Sequence, residues 1–274
     1  MKKTTQATFG IIGAALLGGA TTASAEVEAM IGDSVTGEIS TGWDSQYFFR
    51  GLWFGDETAW TNVEFSKELA TNLTGSVNLF YTEVLDNGAG AFAYSEANVG
   101  AALSYDAGFG TFDLGLLHYR FFDGFGGSTA GVKGALANAN EDATELSLTY
   151  SQDIAWGVSA SLMYAYDFRI DGQYAEFGLS KSWQLNDCVG LDLSVSTGYS
   201  LDDYYAANLG AGAEDDDFTH VLVSLALPVA LTETSTLTPH VTANFSQDAR
   251  EATNNANGQD DTEVYFGASF AVSF

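Results

Sequence analysis

Cysteine, proline and positive charge are scarce in this chain. Its 274 residues hold one cysteine, two prolines, and 9 lysines and arginines against 36 aspartates and glutamates. A lone Cys188 cannot close an intramolecular disulfide and reads as a small residue in a turn. With so few prolines and no Ser-rich tract, nothing reads as a linker between domains. Nucleic acid is excluded as a partner, because binding it needs a basic face. Long hydrophobic runs are missing too: beyond residue 25 no stretch is apolar for long enough to cross a bilayer as a helix. The sequence has no His/Cys cluster with metal-ligand spacing, no Gly-rich phosphate loop after a buried strand, and no repeat beyond the hairpin period. No metal or cofactor is therefore expected.

The first 25 residues carry the pattern of a secretory signal. Lys2 and Lys3 precede an apolar run from Phe9 to Ala20, and Ala23-Ser24-Ala25 places small residues at a cleavage site. That run is Gly-rich and shorter than the about 20 residues a membrane-spanning helix needs. The mature chain is expected to begin at Glu26 and to form one domain over 26–274. Losing Lys2 and Lys3 lowers the basic count from 9 to 7 against an unchanged 36 acids, a net charge of about −29.

What the chain has in plenty is glycine, aromatic residues, and apolar side chains at every second position. Successive side chains of a strand point to opposite faces, so such alternation predicts strands with one apolar and one polar face. Twelve segments show it, over 35–47, 58–69, 73–81, 94–105, 112–116, 144–151, 158–169, 174–183, 189–199, 218–227, 236–245 and 264–274. In the first, Val35, Ile39, Trp43 and Tyr47 oppose Glu38, Ser40, Asp44 and Gln46; in the last, Val264, Phe266, Ala268, Phe270, Val272 and Phe274 share one face. Most segments run about 9 to 13 residues, near the span of a tilted transmembrane strand. The strands of a soluble sandwich, which would also alternate, average about 5 or 6.

Connections alternate in length as well. Those near Asn72, Gly108, Trp156, Asp187 and Pro228 are short, whereas Phe48 to Glu57, Asp86 to Ala93, Asp123 to Asp142, Asp202 to Asp217 and Ser246 to Asp261 read as long outer loops, with Asp171-Gly172 a tight exception. Together these features predict an all-β fold: a twelve-stranded antiparallel transmembrane β-barrel with short periplasmic turns and longer extracellular loops. Aromatic girdles are expected from Phe109, Phe112, Trp156 and Trp183 on the periplasmic side. On the outer side they are expected from Trp43, Tyr47, Tyr81, Tyr166 and Tyr199.

The ending of the chain, with an aromatic last residue and apolar residues at alternate positions before it, resembles the C-terminal signature of bacterial outer-membrane barrels. The resemblance implies an outer-membrane location, lipid contact, and recognition by the barrel-assembly machinery through the strand ending at Phe274. A second stretch, Ser45-x-Tyr47-x-Phe49-Arg50-Gly51, resembles the Ser-x-Tyr-x-Phe-Arg-Gly element of the TorF-like family of outer-membrane proteins, which is poorly characterised in function.

By parity, Glu38, Asp44, Glu64, Glu96, Asp113, Glu145, Asp167, Glu176 and Asp192 point into the barrel, with Arg169 almost alone as a base. A lumen so lined focuses a negative field that draws in cations and repels anions. The expected function is a passive, cation-favouring pore or small-solute channel for small cationic or neutral solutes. The alternative is a closed barrel with a structural or surface-binding role through its acidic outer loops, Glu214 to Asp217 and Asp260-Asp261. Arg50 is expected inside, paired with Asp44 or another lumen carboxylate. An outer-membrane acyl hydrolase or transferase is the least favoured reading. His118, His220 and His240 are its candidates, with His220 beside Ser224 or His240 beside Asn244, but no nucleophile motif accompanies them. The chain is thus not expected to be an enzyme.

Overall fold

Strand Ser95–Asp106 shows how the alternation becomes architecture: Val99 is 53% exposed and Leu103 44%, while Asn98, the neighbour of Val99, is 1% exposed. Apolar residues turned outward and polar residues turned inward need a wall with lipid on one side and an enclosed interior on the other. The wall must also close, because an open sheet edge in hydrocarbon would leave backbone groups unpaired. A computed structural model of the chain, describing residues 35–86, 94–123, 142–202, 204, 216–247 and 261–274, shows that closure.

Twelve strands form the wall: β1 (Val35–Phe49), β2 (Leu52–Ala70), β3 (Leu73–Asp86), β4 (Ser95–Asp106), β5 (Thr111–Asp123), β6 (Ala143–Asp153), β7 (Val158–Asp167), β8 (Gly172–Gln184), β9 (Gly190–Leu201), β10 (Phe218–Ala226), β11 (Ser235–Ser246) and β12 (Thr262–Ser273). Each pairs antiparallel with its neighbours in sequence, and β1 pairs with β12, from Glu38 opposite Ser273 to Asp44 opposite Gly267. Val229–Ala230 adds a two-residue strip beside β11. The barrel is closed, as the alternation and the even strand count predicted. The expected signal segment and most residues of the expected long loops lie outside the described residues.

Short turns fall where expected. Asn72, Gly108, Trp156 and Gly157 take positive φ, and Asn186 folds its side chain back to the backbone N–H groups of Cys188 and Val189. Cys188 is an exposed turn residue. The last residue is seated by a missing side chain: the Phe274 ring lies where a Cβ on Gly37 would collide with it, edge-on to Phe65 at 5.9 Å.

One expected loop is not a loop. Phe48 to Glu57 was expected to be a long outer connection, yet β1 and β2 stay paired to Phe49 opposite Leu52, and only Arg50 and Gly51 turn the chain. Both have positive φ, 50° and 75°, the backbone of a type I′ hairpin whose twist matches its strands. β1 leaves β12 after Asp44 and β2 leaves β3 above Asp56, so residues 45–55 form a ribbon paired in the sheet only with itself. A register shift at Tyr47/Phe48 accompanies its bend. Tyr47 is consequently not a lipid-facing girdle residue: it is 8% exposed and donates to the inward Glu96. Trp43, Tyr81, Phe109, Phe112, Trp156 and Trp183 do face outward.

Candidate functional site

The interior carboxylates stand in two tiers. Strand direction places Glu38, Glu64, Asp113 and Asp192 toward the short-turn end. It places Asp44, Glu96, Glu145, Asp167 and Glu176, with Arg169, toward the long-loop end. All sit at inward positions; Asp44, Glu96, Asp113, Glu145, Asp167 and Asp192 are buried, and Glu38, Glu64, Arg169 and Glu176 are half-buried.

Each upper acid has a partner. Trp60 Nε1 donates to Asp44 Oδ2 at 2.7 Å, and His240 Nε2 lies 2.7 Å from Asp44 Oδ1. Gly267 makes this possible, since a Cβ there would run into both Asp44 and His240. Glu96 accepts from Tyr47, Tyr94 and Asn98. The backbone N–H of Arg169 donates to Asp167 at 2.8 Å, and Tyr174 donates to Glu176 at 2.7 Å, with His220 Nε2 3.7 Å from the same oxygen. Buried charges must be paired in this way or they neutralise.

The lower tier differs. Glu38 and Glu64 stand directly opposite each other on β1 and β2, a like-charge juxtaposition. Glu38 accepts from the Ser273 hydroxyl at 3.2 Å, while Asp113 and Asp192 stand opposite Ser104 and Ser182. Among the described residues no Lys, Arg or His forms an ion pair with any of the four. Lys67, Arg120 and Lys181 occupy outward positions of their strands.

Above these tiers the β1–β2 ribbon crosses the mouth to the far wall. Arg50 Nη1 and Nη2 donate to Glu145 Oε2 and Oε1 on β6, both at 2.7 Å, and Nη1 also donates to the Tyr204 hydroxyl at 2.5 Å. The guanidinium carbon lies 4.3 Å from the Tyr174 ring centre, 4.9 Å from Phe49 and 5.3 Å from Tyr204. Burial alone would disfavour the charge; Glu145, with Tyr204 and Tyr119 behind it, holds the proton above the ordinary arginine range. Of the partners expected for Arg50, Asp44 or another lumen carboxylate, it takes Glu145, the oxygens of Asp44 being engaged by Trp60 and His240. The Gly51 carbonyl accepts from Asn244 Nδ2 at 3.1 Å, and a Cβ on Gly51 would strike the His220 ring.

Phe49 and Phe54 of the ribbon pack into three buried clusters, around Leu52, Tyr174 and Tyr204, around Tyr47, Val84 and Tyr94, and around Leu117, Tyr119 and Ala143. Aromatic side chains therefore crowd the outer part of the interior, which the acids alone do not reveal. The signal was present: inward positions at the outer strand ends carry Leu117, Tyr119, Val84 and Tyr174 rather than polar residues.

The histidines do not assemble with the expected neighbours. His220 Nδ1 lies 2.9 Å from Thr219 Oγ1, Ser224 accepts from Thr242, and Asn244 is committed to Gly51. His118 faces outward beside Thr144 and Asp142. No group of three or more potential metal ligands occurs among the described residues. Of the acidic loop runs, Glu214, Asp215 and Asp260 lie outside the described residues.

No family model matches the chain, and no curated protein matches it. Solved structures do share its fold. The outer membrane channel from Pseudomonas putida F1 is 9% identical with a TM-score of 0.52, covering 88% of this chain and 95% of its own. LpxR from Salmonella typhimurium is 8% identical at 0.52, covering 86% and 99%. The translocator domain of the autotransporter NalP from Neisseria meningitidis is 13% identical at 0.50, covering 91% of both chains. The architecture is that of outer-membrane barrels.

Proposed function

We propose that the chain is a passive outer-membrane channel for small cationic or neutral solutes, its outer mouth narrowed by the β1–β2 ribbon. The observation that carries this reading is the lower tier: Glu38, Glu64, Asp113 and Asp192 face an enclosed interior with no basic side chain paired to them among the described residues. Fixed negative charge within a low-dielectric wall attracts cations and excludes anions. The shared fold with an outer membrane channel supports the reading, as do the signal-like start and the outer-membrane features of the two resembling stretches. Phe274 and its strand are the part offered to the assembly machinery. Planar-bilayer recording across a KCl gradient tests the proposal. The reversal potential should lie on the cation-selective side and move toward zero when Glu38, Glu64 and Asp192 are replaced by their amides; an unmoved potential overturns it.

A second reading has its own observation. The ribbon spans the mouth and packs into three buried clusters, as a closed barrel with a structural or surface-binding role would require. No conductance above background in the same recording would select it. The acyl hydrolase or transferase reading draws nothing from the histidines: His220 lies beside Thr219 and Glu176, His240 beside Asp44, and His118 faces outward beside Thr144.

A further inference from the structure

We infer that the pocket now filled by Arg50 is a binding site for guanidinium-type cations, with Arg50 as its tethered occupant. The inference rests on the proposed passage of cationic solutes and names their chemical class. The far wall supplies what a planar cation needs, independently of the ribbon: the Glu145 carboxylate for a two-pronged contact, the Tyr174 ring at 4.3 Å for stacking, and the Tyr204 hydroxyl and ring at the edge. With the ribbon docked and Leu52 packed against them, Tyr174 is fully buried and Tyr204 is 3% exposed, so the occupied cage is dry and its attraction for a cation is little screened.

Geometry separates the occupant from the cage. Glu145, Tyr174 and Tyr204 belong to β6, β8 and the segment after β9, whereas Arg50 arrives on a ribbon whose strands are paired in the sheet only with each other. A ligand bound through a tether can be displaced when the ribbon withdraws. The vacated cage then fits a free alkylguanidinium, bound by the same two parallel N–H to carboxylate contacts, and a compact ammonium less well because it has no planar fork.

Chemical rescue tests this without relying on conductance. Arg50→Ala, folded in detergent micelles, should melt below the wild type. Ethylguanidinium should raise its melting temperature by about 2–4 °C at several times its Kd. The same salt should not raise the wild type, whose cage is filled, nor Arg50→Ala/Glu145→Gln, which lacks the carboxylate. Ethylammonium at equal concentration should act more weakly. Should Arg50→Ala not fold, Arg50→Gln takes its place, with refolding yield in the presence and absence of ethylguanidinium as the readout. Equal effects of ethylguanidinium and ethylammonium, or rescue that persists in the Glu145→Gln background, overturn the inference. Absence of rescue overturns it even where cation-selective conductance is intact, and rescue in a barrel that conducts nothing keeps the cage while removing the passage.

Discussion

Arg50 and Glu145, 95 residues apart in sequence, meet through two parallel hydrogen bonds of 2.7 Å across the barrel mouth. Both side chains are only 5% exposed, so neither charge has water to fall back on. Removing one partner from a buried pair leaves the other uncompensated, which costs about 3–5 kcal/mol. Glu145→Gln is expected to lower unfolding stability by that order in urea titration. Arg50→Met/Glu145→Leu should be less destabilised than the sum of its single changes, the signature of a direct coupling.

Gly51 carries two separable constraints. Its φ of 75° penalises any side chain, and a Cβ would collide with His220; Gly108, at φ 81°, has only the first constraint, with open space around its missing Cβ. Gly108→Ala should therefore cost only the left-handed backbone term, roughly 1–2 kcal/mol. Gly51→Ala should cost more and also undock the ribbon. The difference in their urea midpoints, with increased protease cleavage near Arg50 in the Gly51 variant alone, checks this.

The two faces of β6 should respond oppositely to charge. Leu148 is 49% exposed on the outer face and lies near the middle of the strand, while neighbouring Thr149 turns inward. Leu148→Arg should lose about 2–4 kcal/mol of folding free energy into lipid vesicles, the cost of a cation near the bilayer centre. Thr149→Arg, placed among carboxylates, should lose far less.

Most of the wall was legible because lipid imposes one rule on every strand. In β4 from Glu96 to Tyr105, in β6 from Ala143 to Leu148 and in β12 from Thr262 to Phe270 the two-residue period is unbroken, and the exposure of each side chain there follows from it. The rule stops where the chain leaves the wall. Around Tyr47-Phe48-Phe49 and Leu52-Trp53-Phe54 both faces are apolar, so alternation carries no information; the two matching aromatic runs flanking Arg-Gly were the available sign of a tight hairpin rather than a loop. The lower acids followed from parity alone. The partner of Arg50 did not, because barrel closure and the bend of the ribbon, rather than local sequence, bring Glu145 to it.

The central claim is that alternate side chains divide between lipid and an enclosed interior, and lipid-borne quenching measures this division directly. In a Cys188→Ser background, single cysteines from Asn98 to Ser104 on β4 would carry a bimane fluorophore in vesicles containing nitroxide-labelled lipid. The account predicts strong quenching at 99, 101 and 103 and weak quenching at 98, 100, 102 and 104. Uniform quenching along the strand, or none at any position, would contradict it.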